Sequence, residues 1–153
     1  MYALNNVGKS YFTFIKGATK CLKHRGPDGD GVYMDEHVAL GHRRLAVIDT
    51  TEAASQPMTD ASGRYTIVFN GEFFNFLEHK LQLLHKGVHI QSHSDTEVLL
   101  QLSLHEGPAF LEKINGFFAL AIYVKQEQSL FIARDRMGVK PLWYYQTEHA
   151  LML

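Results

Sequence analysis

Between residues 10 and 23, Phe14, Ile15, Ala18, Cys21 and Leu22 recur at the spacing of one helix face. The stretch RGPDGDG, residues 25–31, stops that helix with glycine and proline. GVYMD (31–35) and VALGHRRLAVID (38–49) read as strands, the second with a mixed apolar and basic face. AASQPMTDASGR is loop and turn. YTIVFNGEFFN starts as a buried strand, and a helix then runs over 76–86 to Gly87. VHIQS (88–92) reads as a short strand, and Ser94 or Asp95 caps a helix over 96–106. Gly107 and Pro108 break the chain before a short helix at 109–114. GFFALAIYV, SLFIARD and LWYYQ follow as antiparallel strands, the first two joined by the turn KQEQ. Strands linked by tight turns around a central helix pair predict an α+β layered sandwich rather than an alternating parallel fold. No repeat or Pro/Ser-rich linker divides the chain, so one domain is expected.

Composition narrows the class. With 153 residues, 46% apolar, 20% charged and a net charge of −1, the chain has an ordinary globular composition and no basic footprint for nucleic acid. Cys21, the single cysteine, excludes an internal disulfide framework and fits a reducing compartment. The first twenty residues lack a signal-peptide pattern, and FFALAIYV is too short to span a bilayer. A cytoplasmic domain without membrane or nucleic-acid partners is expected.

Three motif readings fail on chemistry. ALNNVGKS, residues 3–10, approximates a phosphate loop, but only two residues precede Ala3 where a strand is needed. RGPDGDG has phosphate-loop glycine spacing, yet Val32 and Tyr33 stand where Lys and Ser/Thr belong. As a calcium loop, its fifth position would be Val32 and its twelfth Ala39, neither a ligand. His89 and His93 are four apart on an expected strand, about 13 Å from each other, too far to share a metal. No metal site is expected.

Four stretches make sense together. Arg43 and Arg44 interrupt an otherwise apolar strand, so one guanidinium faces inward as a bidentate carboxylate clamp. Asn70 and Gly71 end an apolar strand, where a side-chain amide and a backbone N–H could converge on one oxyanion. Glu72 or Asp95 could hold an ammonium group. The combination describes a pocket for an α-amino acid with a reactive side-chain carbonyl. Each piece also has a plain structural alternative: Asp95 as a helix cap, Asn70-Gly71 as a turn, Arg44 paired with Glu36 or Asp49.

In order, RGPDGDG, HRRLAVID, QPM, FNGEFFN, SDTE, INGFFALAIY and ARDRMGVKPLWYY closely resemble the glutamine amidotransferase domain of glutamine-dependent asparagine synthetases. That domain is of the class II, N-terminal-nucleophile type. The resemblance covers roughly residues 10–150 and implies a four-layer α-β-β-α sandwich that hydrolyses glutamine to glutamate and ammonia. The ammonia would pass to a synthetase domain that uses ATP and Mg2+ to amidate aspartate; neither cofactor is expected in residues 1–153. By resemblance, Arg44 binds the α-carboxylate of glutamine and Leu45, Ala46, Val47 and Ile48 line the pocket. Asn70 and Gly71 form the oxyanion hole, while Glu72 and Asp95 hold the α-ammonium. Homodimer formation is left open.

One departure stands out. The family's nucleophile is a cysteine exposed as the first residue, with its own α-amine as base. This chain opens Met1-Tyr2-Ala3. Cys21, mid-helix among apolar neighbours, is expected to be a buried inert thiol. The chain is therefore expected to be truncated at both ends, lacking its first strand, the nucleophile and the synthetase domain, and inactive alone. The alternative is a degenerate module that binds glutamine without cleaving it.

Overall fold

A computed structural model describes residues 1–46 and 49–153. Its centre is an antiparallel sheet of β4 (Met58–Thr59), β5 (Tyr65–Phe73), β6 (Gly116–Val124) and β7 (Ser129–Arg134), in that order. β5 and β6 pair along their whole length, from Tyr65 opposite Val124 to Phe73 opposite Gly116.

Strict alternation gives each strand two apolar faces. Ile67, Phe69 and Phe73 of β5, with Phe118, Leu120 and Ile122 of β6, pack on the helix pair α2 (Phe76–His85) and α3 (Asp95–Glu106) through Leu83, Val98, Leu99 and Leu102. Val68, Tyr123 and Leu130 point the other way and meet Tyr2, Tyr33, Val38 and Leu40.

Those partners belong to a second layer. β2 (Gly29–Met34) and β3 (Ala39–Arg44) form one antiparallel ribbon; β1 (Tyr2–Ala3), β9 (Ala150–Met152) and β8 (Tyr145–Gln146) form another. Tyr2 bridges Val38, and the amides of Ala3 and Ala39 donate to the carbonyls of His37 and Met1. The ribbons thus join in the order β2-β3-β1-β9-β8. On the outer side of this layer, Ala3, Val32 and Ala39 pack against Phe12 and Ile15, at the start of α1 (Ile15–Cys21). Three apolar clusters therefore fill the three gaps of a four-layer α-β-β-α sandwich, the architecture that the resemblance implies. Among the described residues, no helix is long and apolar enough to cross a membrane.

Several local expectations are corrected. The first helix is α only over Ile15–Cys21; Gly8–Phe14 is 3-10, its turns tightened where Ser10 and Thr13 hydroxyls donate to carbonyls three residues back. Ile15 and Thr19 form the buried face of α1, and Cys21 lies off it, so the thiol is exposed rather than buried. The expected first-strand gap holds a two-residue strand, β1. The strand foreseen over 38–49 leaves the sheet after Arg44. VHIQS forms no strand, because the Gln91 and Ser92 amides donate to the Glu97 carboxylate instead of to a neighbouring chain. With it falls the strand-based spacing of His89 and His93. Of LWYYQ only Tyr145–Gln146 is extended into the sheet.

Candidate functional site

The strand parity that builds the core also aims the site. On β3, Ala39 packs outward and Leu40 inward, so His42 and Arg44 face the gap between the sheets and Arg43 faces out. Arg43 pairs with Asp30 at 2.8 Å and donates from Nε to the Gly26 carbonyl at 2.9 Å. Arg44 lines a cavity of about 120 Å³ between the sheets. It pairs with neither Glu36 nor the carboxylate of Asp49. Its guanidinium donates to the carbonyls of Thr51, at 2.8 Å, and Asp49. Carbonyls are neutral acceptors, so among the described residues the charge of Arg44 is fixed in place without being compensated.

Six other expected residues line the same cavity: Leu45, Ala46, Asn70, Gly71, Glu72 and Asp95. Val47 and Ile48 lie outside the described residues. Asn70 and Gly71 sit within β5, opposite Ala119 and Phe118, and not in a turn. Asn70 is exposed, and its carboxamide makes no hydrogen bond among the described residues.

The loop after Arg44 is stapled from two sides. The Asp49 carboxylate accepts from the hydroxyl and amide of Thr51 and the amide of His93, and these bonds, the Thr51 hydroxyl foremost, lower its pKa to about 2. From the other side Asp28 Oδ2 accepts from the Ala46 amide at 2.9 Å, and the Asp28 amide donates to the Arg44 carbonyl. Here RGPDGDG finds its role as a strap. Gly26 is required, since a Cβ there would lie 2.5 Å from the Arg43 carbonyl carbon and 2.6 Å from the Arg44 nitrogen. Arg25 is exposed and makes no side-chain hydrogen bond among the described residues.

Ser94, not Asp95, caps α3, accepting from the Thr96 amide at 3.1 Å. That frees the Asp95 carboxylate for the cavity, where it is 6% exposed and accepts from the Phe73 amide at 3.2 Å. Burial pushes the Asp95 carboxyl upward and the Glu72 carboxylate beside it adds to this, while the Phe73 amide opposes. Among the described residues no cation pairs with either carboxylate.

A pH dependence follows. A carboxyl raised on folding contributes stability that is complete below its unfolded pKa of about 3.8 and is lost as pH rises through the folded value. Ionisation of Asp95 as pH rises therefore weakens the empty fold. Asp95→Asn, which keeps an acceptor for the Phe73 amide, is expected to flatten this fall of Tm with rising pH; thermal melts over a pH series check it.

Two lining residues carried no signal of their own in the sequence. His42 shares the parity of Leu40 and Arg44, lies beside the Phe69 carbonyl, and is pushed down to about 4, first by burial and then by Arg44. It is an uncharged imidazole at neutral pH. Gln56, seen earlier only within QPM, reaches β5 with its carboxamide. Cys21 does not line the cavity.

A family model described as "Glutamine amidotransferase domain" matches residues 2–153. Asparagine synthetase [glutamine-hydrolyzing] 1 of Bacillus subtilis is 43% identical over 130 residues, covering 85% of this chain and 20% of the relative. Asparagine synthetase B of Escherichia coli is 33% identical over 131 residues, covering 86% and 23%. Among solved structures, the glutamine PRPP amidotransferase of Bacillus subtilis, complexed with ADP and GMP, superposes with a TM-score of 0.70 at 24% identity, covering 90% of this chain and 37% of that one; it shows the fold. The chain spans about a fifth of the length of these curated relatives. From the family model and the identities together, the chain belongs to the glutamine amidotransferase domain family.

Proposed function

We propose that the cavity between the sheets binds glutamine, and that the domain serves as the glutamine-handling part of an enzyme of the asparagine synthetase type. The carrying observation is the division of charge across one small space. One guanidinium and two carboxylates line it, none of them ion-paired among the described residues. An α-amino acid zwitterion satisfies both at once. Arg44 takes the α-carboxylate, and Glu72 and Asp95 take the α-ammonium. Asn70 and Gly71 face the side-chain amide, where donors would stabilise the oxyanion formed as a thiolate adds to the carbonyl carbon. Collapse of that adduct breaks the C–N bond and releases ammonia; water then frees glutamate from the thioester.

The thiol is the missing part. Cys21 is exposed on α1 away from the cavity, so residues 1–153 bind glutamine, and turnover requires a nucleophile that they do not place there. The same observation favours a second reading, a glutamine-binding module without turnover. ATP and Mg2+ would serve an associated synthetase domain and have no role in this one, and the reducing compartment indicated by the free cysteine is the cytoplasm.

Calorimetric titration with glutamine tests the site, and an ammonia-release assay tests the chemistry. Binding of glutamine in preference to glutamate, with no ammonia above background, is the expected pair of results. Absence of glutamine binding would remove the cavity from consideration. Sustained ammonia release would show that a nucleophile other than Cys21 acts within these residues.

A further inference from the structure

Backbone parity leaves three amides on the free edge of β5. Phe118 exchanges its backbone groups with Asp135, on the β7 side: its carbonyl accepts from the Asp135 amide and its amide donates to the Asp135 carboxylate. In β6, therefore, Phe117 and Ala119 are the residues bonded to β5, through Glu72 and Asn70. The amides of Phe69, Gly71 and Phe73 point the other way. β4 reaches only Met58, opposite Ile67, so no strand among the described residues receives them.

Side chains take the outer two. Gln56 Oε1 accepts from the Phe69 amide at 2.6 Å, and Asp95 Oδ2 accepts from the Phe73 amide at 3.2 Å. The two side chains are themselves joined. Gln56 Nε2 donates to Thr96 Oγ1 at 3.1 Å, and the Thr96 hydroxyl donates to Asp95 Oδ1 at 3.4 Å. A ring of hydrogen bonds runs Phe69–Gln56–Thr96–Asp95–Phe73 and brackets Asn70, Gly71 and Glu72. The Gly71 amide lies at the middle of the bracket, with no partner among the described residues. His42 lies beside the Phe69 carbonyl.

We propose that Gln56 is a positioning residue that sets the aim of the Gly71 amide and its separation from Asp95, so that the side-chain amide and the α-ammonium of glutamine are read at one fixed spacing. The proposal rests on the glutamine reading of the cavity. A strand edge without a neighbouring strand is free to fray. Gln56 supplies the bond that a longer β4 would have made, and Thr96 ties that bond to the helix carrying the ammonium receptor. Loss of Gln56 leaves Asp95 anchored on Phe73 and releases only the Phe69 end, where the amide of the ligand is read.

This asymmetry gives the test. Norvaline has the α-carboxylate and α-ammonium of glutamine but no carboxamide, and so engages Arg44, Glu72 and Asp95 alone. In Gln56→Met, which keeps the length of the side chain without its hydrogen bonds, glutamine affinity is expected to fall about tenfold while that for norvaline stays within about twofold. Amide exchange at Phe69 is expected to accelerate about tenfold, with Phe73 unchanged. Gln56→Glu, whose carboxylate still accepts from Phe69 and from the Thr96 hydroxyl, is expected to restore the Phe69 protection. Equal losses for both ligands, or unaltered exchange at Phe69, would overturn the positioning role. A wild-type chain that bound no glutamine would overturn the pocket as well, which separates the two failures.

Discussion

Replacing Arg44 by alanine is expected to weaken glutamine binding about 100-fold, or about 2.7 kcal/mol. Hydrogen bonds to charged groups are worth about 1.5–3 kcal/mol, and their loss leaves the α-carboxylate of the ligand unpaired in a partly closed space. The size of the effect reflects how Arg44 is held. Its donors to the Thr51 and Asp49 carbonyls orient the guanidinium before any ligand arrives, so little side-chain entropy remains to be lost on binding. Arg44→Lys keeps the charge but not the planar fork, and is expected to fall between wild type and alanine. Because the same bonds hold residues 49–51, a lower Tm should accompany the loss. Calorimetry on the folded fraction, with thermal melts alongside, separates the two. Wild-type affinity in Arg44→Ala would place the carboxylate clamp elsewhere.

Gly71→Ala should act on the fold before it acts on the ligand. A Cβ there would lie 2.2 Å from the Phe117 carbonyl oxygen and 2.7 Å from the Phe118 Cα, both backbone atoms of β6. Neither can swing aside as a side chain would, and β6 is pinned on its far edge by β7 and Asp135. Overpacking within cores costs about 1–3 kcal/mol and occasionally more, and this clash with immobile backbone places the variant at about 3 kcal/mol or beyond. Urea unfolding gives the number directly. A loss below about 1 kcal/mol would mean that β5 and β6 separate far more easily than their nine-residue pairing implies. The glycine therefore serves two ends: its hydrogen lets the strands close, and its amide is a donor on the cavity side with no partner among the described residues.

These two residues mark what could be read in the sequence. β6 was legible to the residue, because a strand covered on both faces has no polar alternation to blur it and shows as the uninterrupted run GFFALAIYV. Arg43 and Arg44 were legible as an inward and outward pair, but not which was which, since that depends on Leu40 and Ala39 facing opposite gaps. Asp95 was legible as an acid at a helix start; its freedom from capping depends on Ser94 doing that work. VHIQS misled because Val88 and Ile90 pack on the core from a loop, and alternation alone cannot tell a loop whose amides are satisfied by Glu97 from a strand. Cys21 misled because α1 is short and buries only a narrow face. Gln56 and His42 were not legible at all, since their parts depend on a strand edge that exists only once the sheets are assembled.

The division of the sandwich into layers has a kinetic consequence. The sheet of β4 to β7 and its two helices come from the continuous stretch 58–134, joined by neighbouring strands and short connections. The other sheet is completed only when Tyr2 meets Leu151, which closes nearly the entire chain into one loop. Local contacts form early and long closures late. In refolding followed by pulsed amide exchange, β5 and β6 should gain protection before β1 and β9. The cavity is walled by β3 on one side and β5 on the other, so a folding chain can already hold most of its native structure and still be blind to its ligand until the second layer docks on the first.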